Sequence, residues 1–386
     1  MAAFGSIVAP MSGKGRLVLI VGTRPDYIKV GPIAAELRAR GAPFTIISTG
    51  QHTSLLDGCP AKDDLAGGLS LGLVGHPDPL IYVTRATAAL QDALEDVRNE
   101  AGPISAVVVQ GDTGTALAGA RAAKALNLPI AHIEAGLRSG STEDPWPEEL
   151  FRREISTLAD WHYAPTDHAA QHLVTEGIPK GRIFVTGNSV VSALQRYATL
   201  EHCPTPENRI LISLHRREFL AKGHFHILST LDALFQVSAL NLNNVRVGGT
   251  YDGLALNFVV LVHPSLRVAL GGELPPAPPN VSFVNPLDYR TTVDVLRKAL
   301  GVITDSGGLT EEAATLGVPC VMLRDHTDRP EILADGDRAD LLPPNGNGMH
   351  AAVFNLLHGG MERRPSSCFG TPQSASHIAR HLSSLT

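Results

Sequence analysis

Basic residues are the minority charge in this 386-residue chain: 32 lysines and arginines stand against 38 aspartates and glutamates, a formal charge of −6. No bulk cationic field therefore draws nucleic acid or an anionic membrane, and any phosphate must be held by a few placed groups. Charge is scarce altogether, at 18% of residues against about 25% in an average soluble chain. The 44% hydrophobic content excludes a disordered or polyelectrolyte protein. Cysteine is rare too: Cys59, Cys203, Cys320 and Cys368 lie far apart with no C-x-x-C pair, the pattern of a reduced, cytoplasmic chain without a zinc module. No apolar run approaches the ~18 residues of a membrane span. The short apolar stretch before Lys14 does not make a signal peptide, so residues 1–15 are expected to form a flexible tail. At about 150 residues per domain, the length predicts two to three domains with chain enough for two cores.

What is present is a repeated alternation of short apolar runs with helical patterns. Residues 16–21 (RLVLIV), 44–49, 107–110, 129–134 and 182–186 read as strands, with a helix over 28–40 and a small-residue helix running to Lys124. After the Cys-Pro-Thr-Pro linker at 203–206 a second cycle begins, with strands at 210–214, 258–262, 281–284, 300–304 and 318–323 and a last helix at 374–385. Residues 241–256 read as a loop. The pattern predicts an α/β protein with two parallel-sheet domains facing one another, divided at 16–203 and 204–365. A C-terminal helix at 366–386 is expected to pack back on the first domain. Ligands of such sheets sit at the carboxyl ends of the strands, where the chemically interesting residues fall.

Four groups stand out. In Gly22-Thr23-Arg24-Pro25-Asp26-Tyr27-Ile28-Lys29, a strand gives way to a helix near Pro25, so Arg24 and Lys29 lie by a helix N-terminus that favours anions. This is either an ordinary βα turn or a grip on phosphate or carboxylate; it is neither a G-x-G-x-x-G nor a Walker loop. In Asp305-Ser306-Gly307-Gly308, small residues after a strand offer amides and a hydroxyl to an anion, and Glu312 is placed to accept the two hydroxyls of a ribose. The alternative is that the glycines merely permit close helix-to-sheet packing. Asp112, Glu134 and Glu148 follow successive elements of one sheet and converge on one edge, where neighbouring carboxylates push one another's proton affinities apart and supply acid and base together. Separately, Asp112 as a helix cap and Glu134 as a partner of Arg138 remain open. His215, with Arg216 and Arg217 at a strand end, suits a diphosphate, and Arg329 is a further cation. His168 and His172, and likewise His224 and His226, read as solvated helix faces, with no third metal ligand in view.

Taken in order, these strings resemble the non-hydrolysing UDP-N-acetylglucosamine 2-epimerases. The matches are GTRPDYIK (22–29), TGQH (49–52), QGDT (110–113), HIEAGLRSG (132–140), PWPEE (145–149) and VTGNS (185–189). HRRE (215–218), HP (263–264), TDSGGLTEEAATLGVP (304–319) and RDHTDRPE (324–331) continue them. The resemblance implies two Rossmann-like domains, as in B-type glycosyltransferases, with a UDP-sugar in the cleft, and a homodimer. It implies inversion of C2 of a UDP-N-acetylhexosamine without a redox cofactor or metal, by elimination of UDP to a 2-acetamidoglucal and its re-addition. By resemblance the acid–base set is Asp112, Glu134 and Glu148, with Lys29 and His215 as accessory catalytic groups. UDP contacts fall to Arg24, His215, Ser306, Gly307, Gly308, Glu312 and Arg329. A hydrolysing epimerase, a glycosyltransferase of the same architecture and a non-catalytic nucleotide-sugar binder are the alternatives.

The chain also departs from the family pattern. Asp26 stands where glutamate is usual, Leu150-Phe151 where the family has Ala-Asn, and Phe219 where it has asparagine. The two phenylalanines are expected to reshape the sugar pocket, pointing to a divergent member acting on a modified nucleotide sugar. Thr53 and Ser54 replace an arginine and a polar residue in a region that in bacterial relatives helps bind a second UDP-GlcNAc as activator, which speaks against that activation here. The linker at 203–206 is expected to lie near a hinge for cleft closure.

Overall fold

The run RLVLIV shows no polar face to water, and as β1 (Arg16–Val21) it is an inner strand of a sheet buried on both sides. Leu17, Leu19 and Val21 enter one apolar core while Val18 and Ile20 enter the other, as alternation along a covered parallel strand requires. The structure is a computed structural model that describes residues 15–386 apart from 52–55, 57, 142–143, 199–204, 240–255, 337, 359 and 362. Residues 1–14, His52 to Ser54, Cys203 and Pro204 of the linker, and nearly all of the loop read at 241–256 lie outside the described residues.

The first sheet continues with β2 (Phe44–Ser48), β3 (Leu69–Ser70), β4 (Ile104–Gln110), β5 (Ile130–Ile133), β6 (Trp161–Ala164) and β7 (Ile183–Val185). The second holds β8 (Arg209–Ser213), β9 (Asn257–Leu261), β10 (Val281–Val284), β11 (Gly301–Thr304), β12 (Cys320–Leu323) and β13 (Ala339–Leu342). Their orders are β3-β2-β1-β4-β5-β6-β7 and β10-β9-β8-β11-β12-β13, and neighbouring strands pair in parallel. Counted from its own first strand, each sheet runs third, second, first, fourth, fifth, sixth, and the first sheet adds a seventh. This is the doubly wound order whose direction reverses beside the first strand. Two Rossmann-like units thus face one another across a cleft, the B-type glycosyltransferase-like arrangement. Among the described residues no helix is long and apolar enough to cross a membrane.

The strands read from apolar runs are present, two with the same bounds and the rest with ends shifted by up to three residues. β6 (WHYA), β13 (ADLL) and the two-residue β3 go beyond that reading, because none is a continuous apolar run. The long helix Pro79–Ala101 does too. It starts where Asp78 accepts from the Leu80 and Ile81 amides, and it buries the stripe Tyr82, Ala86, Leu90, Ala93, Val97 at helical spacing.

Two helices tie the units together. In Ser189–Tyr197, Val190 and Val191 join a core of the second unit while Ala193, Leu194 and Tyr197 join one of the first. The C-terminal helix Ser374–Ser383 sends Ala375, Ile378, Ala379 and Leu382 into the same first-unit core as Ile33 and Leu37. Ile378→Ala, at a fully buried position, is expected to cost about 2–5 kcal/mol. Urea unfolding read by fluorescence checks it, and an unchanged midpoint would show that this helix does not complete the first core.

Candidate active site

Both reversal points open on one cavity of about 540 Å³, within the range of small-ligand sites. From the first unit come the turns after β1 and β4, the end of β5 and the start of helix Glu148–Leu158; from the second come the turns after β8 and β11. Every residue singled out from the sequence lines it: Arg24, Lys29, Asp112, Glu134, Glu148, His215, Ser306, Gly307, Gly308, Glu312 and Arg329.

The turn after β1 is fixed by its own polar groups. Thr23 caps helix Arg24–Ala39, and Asp26 closes a capping box in which one carboxylate oxygen accepts from the Gly22 and Thr23 amides, both at 2.9 Å. Asp26 thus sets the helix start, and burial pushes its carboxyl up to about 6. Arg24 is left at the cavity, donating across the cleft to the Leu287 carbonyl at 3.0 Å.

At the end of β11, Ser306 caps helix Gly307–Leu316 through the Leu309 amide, while the Gly307 and Gly308 amides make no hydrogen bond among the described residues. The two glycines differ in purpose. A methyl on Gly307 would overlap the Arg329 guanidinium, whereas one on Gly308 would meet nothing within 4 Å. Gly307 therefore makes room for the Arg329 side chain, not for close helix-to-sheet packing, and Gly308 leaves open space beside an anion-favouring helix end. One turn on, burial pushes the Glu312 carboxyl up to about 7. On the facing turn the Asp305 carboxylate accepts from the His215 and Arg216 amides, both at 2.8 Å, and lies 3.5 Å from the His215 ring. Burial outweighs that partner and holds the imidazole below its usual value, hence neutral at pH 7. Arg216 also lines the cavity and has no ion pair among the described residues.

The three carboxylates sit in three environments. Glu134 is buried and has φ 63°, a strained conformation for a non-glycine residue. One of its oxygens accepts from Lys29 at 2.6 Å, Arg329 at 3.2 Å and Asn188 at 3.3 Å, the other from Gln110. Burial raises its carboxyl above the usual range against the pull of Lys29. Burial also disfavours the Lys29 ammonium, but Glu134 and Glu311 outweigh it and hold it above its ordinary value. Asp112 is partly exposed and pairs with Arg152, which also reaches Asp328 at 2.9 Å. The turn carrying Asp112 is pinned from beneath: His132 Nε2 donates to the Gly111 carbonyl at 2.8 Å, and burial, pushing the ring down to about 3, keeps it neutral. Glu148, half-buried at the first turn of its helix, has no ion pair among the described residues. Its neighbour Glu149 is fully buried against Arg152 and Arg153.

Several readings need correction. Glu134 pairs with Lys29 and Arg329; Arg138 instead grips Glu176 at 2.6 Å. Thr113, not Asp112, caps the helix after β4. His172 and His226 are not fully solvated: they bond the Gly136 and Pro344 carbonyls at 2.9 and 2.6 Å. Of the two phenylalanines, Phe151 lines the cavity but Phe219 is buried in the second unit's core, away from it. Sequence reasoning gave no role to Glu311, Asn188, Gln110, Arg152 or Asp328. Gln110 and Asn188 carried a signal, as polar residues closing a strand and opening a helix inside quoted motifs. Asp328 likewise lies inside a quoted motif, but its pairing with Arg152, 176 positions away, left no signal.

A carboxyl whose folded value lies above its unfolded one is held neutral, so its stability is present below the unfolded value and lost as pH rises through the folded one. For Glu312 the window runs from 4.5 to about 7, a loss of about 3 kcal/mol. The thermal midpoint of the free protein is expected to fall across that window, with Asp26 carrying part of the fall below about 6. Glu312→Gln should abolish the decline above about 6. Differential scanning calorimetry over a pH series checks this, and an unchanged slope in the variant would refute it.

The profile of the family described as UDP-N-acetylglucosamine 2-epimerase matches residues 35–383. The UDP-N-acetylglucosamine 2-epimerase of Salmonella typhimurium is 32% identical over 96% of this chain and 98% of its own. Among solved structures, the Neisseria meningitidis UDP-GlcNAc 2-epimerase bound to UDP-GlcNAc is 28% identical, with TM-score 0.80 over 95% of this chain and 99% of that one. The Methanocaldococcus jannaschii UDP-GlcNAc 2-epimerase in complex with UDP-GlcNAc and UDP is 29% identical, with TM-score 0.80 over 96% and 99%. With these motifs in order around one cleft, and a match over nearly its whole length, the chain belongs to the UDP-N-acetylglucosamine 2-epimerase family.

Proposed function

We propose that this chain inverts C2 of UDP-N-acetylglucosamine, or of a modified UDP-N-acetylhexosamine, by eliminating UDP and adding it back through a 2-acetamidoglucal. The observation that carries the reading is the meeting of three carboxylates and two anion-favouring helix starts on one cavity. The C2 hydrogen of such a sugar is not next to a carbonyl, so its direct removal is hopeless near neutral pH. When UDP leaves C1 with the bonding electrons, a base can take the C2 proton as the C1–C2 double bond forms. Return delivers a proton to the other face of C2 while the UDP oxygen attacks C1. No electron is gained or lost overall.

Asp112, Glu134 and Glu148 form the acid–base set in this reading, with Lys29 and His215 as accessory groups. Their unlike surroundings support it, because acid and base at one site must differ in proton affinity. Carboxylates also stabilise an oxocarbenium-like C1 as UDP departs. Arg24, His215, Ser306, Gly307, Gly308 and Arg329 hold the diphosphate so that it can return, and Glu312 meets the ribose hydroxyls. The division at 16–203 and 204–365 with a returning segment at 366–386 belongs to this reading, as do a homodimer and a cytoplasmic location. The free Cys59, Cys320 and Cys368 support that location.

Incubation with UDP-GlcNAc in deuterium oxide is expected to give UDP-ManNAc with deuterium at C2; no exchange with any UDP-N-acetylhexosamine, or stoichiometric free UDP, would overturn the reading. Asp112→Asn, Glu134→Gln and Glu148→Gln should each slow exchange on the order of 10²–10⁴-fold. Gly308→Ala should weaken UDP binding by calorimetry without lowering the thermal midpoint, whereas Gly307→Ala should lower both by displacing Arg329. Equal behaviour of the two variants would argue against the placement of the diphosphate.

A further inference from the structure

Glu311, next to the cavity-lining Glu312, is fully buried and does not itself line the cavity. Its two oxygens are nonetheless committed to residues that do. One accepts from Lys29 Nζ at 3.0 Å, the other from Arg329 Nε at 2.7 Å and Asn188 Nδ2 at 3.0 Å. Lys29 in turn lies 2.6 Å from Glu134, and Arg329 reaches Glu134 at 3.2 Å. Two anions and two cations therefore alternate in a closed ring, Glu134–Lys29–Glu311–Arg329, with the Asn188 amide donating to both carboxylates. Lys29, Glu134 and Asn188 belong to the first unit and its closing helix; Glu311 and Arg329 belong to the second.

Each unit alone holds only half of the ring. Parting them leaves the pairs Lys29–Glu134 and Glu311–Arg329 and breaks the two ion pairs that cross, together with the Asn188–Glu311 hydrogen bond. We propose, resting on the epimerase reading above, that Glu311 is a positioning residue that completes the Lys29–Glu134 pair from the opposite unit, so that the pair reaches its working geometry only when the cleft is shut. Without the Glu311 charge, Lys29 is left with Glu134 alone and Arg329 with Glu134 and Asp328, and the amide nitrogen of a glutamine in its place sets donor against donor. A displacement of about 1 Å in such a pair is enough to cost ~100-fold in rate.

Glu311 also has an electrostatic effect that pure packing would not have. It raises the Glu134 carboxyl, which burial already pushes up and which Lys29 and Arg329 pull down, while Gln110 and Asn188 face it as neutral donors. Removing the negative charge lowers the proton affinity of Glu134, so the limb of the pH–rate profile that Glu134 carries moves to lower pH.

The test compares the full-length protein with Glu311→Gln and Glu311→Asp in two measurements: C2 deuterium exchange over a pH series and the radius of gyration by X-ray scattering. Glu311→Gln is expected to fall ~100-fold in kcat, with its Glu134 limb displaced to lower pH and the free protein more open. Glu311→Asp, which keeps the charge, should restore the pH limb in part. Unchanged kcat and pH profile in a folded Glu311→Gln would overturn the proposal, as would a radius of gyration equal to that of the wild type. Absence of exchange in the wild type would instead strike the epimerase reading, leaving the scattering comparison to decide the closure role.

Discussion

The ring of Glu134, Lys29, Glu311 and Arg329 is the constraint around which the cleft is organised, because it takes four ionised groups out of water at the junction of two separately wound sheets. Burial of this kind costs several kcal/mol per ion and is tolerated only where geometry and further hydrogen bonds compensate. Here they do: Asn188 and Gln110 satisfy the remaining lone pairs, and Asp328 neutralises the far side of Arg329 at 2.6 Å. Asp328 then hands the same compensation on, through Arg152 to Asp112 and through Arg324 at 3.2 Å. The charges of both proposed acid–base turns are thus linked through one buried arginine–aspartate network. Its value lies in specifying an arrangement; an apolar core of the same volume would be at least as stable.

The acidity of the chain looks different in this setting. A protein with net charge −6 that is to hold a diphosphate cannot rely on a field. The second unit instead offers unspent amides at Gly307 and Gly308, and the cations beside them are largely spoken for by carboxylates. Arg24, Arg216 and Arg217 also line the cavity, with no ion pair among the described residues. Anion affinity here is directional, set by helix ends and a few guanidinium groups, and it leaves room for several carboxylates in the same cavity without mutual repulsion dominating.

Much of this was legible before any coordinates. β1, β4, β8 and β11 are short apolar runs bounded by turn residues, and such runs at doubly wound spacing leave little choice of architecture. The residues just past their ends were found for the same reason: Arg24, Asp112, His215 and Ser306 stand where periodicity stops, and strand ends are where parallel sheets bind ligands. β6 and β13 escaped because they are only four residues long and a polar residue, His162 or Asp340, interrupts each. Glu311 escaped for another reason. Two adjacent glutamates on a helix point in different directions: Glu312 was read at the ligand, but the partners that Glu311 meets in the interior come from distant parts of the chain and leave no local pattern. Phe219 shows the converse, since a substitution beside a motif residue need not reach the site: its ring belongs to the core.

The local and global constraints meet at Glu134. It follows β5 directly on a backbone with φ 63°, a conformation that non-glycine residues rarely adopt. Its partners arrive from four places: the helix after β1, the end of β4, the start of helix Ser189–Tyr197, and the second unit. Helix Ser189–Tyr197 is packed into cores of both units, so any rotation of one unit against the other must move Asn188 relative to at least one of the two carboxylates it bridges. Strain at Glu134, compensation by Lys29 and Arg329, and the shared helix are therefore one mechanical system. One of the three carboxylates of the proposed acid–base set is thereby tied to both units through the ring.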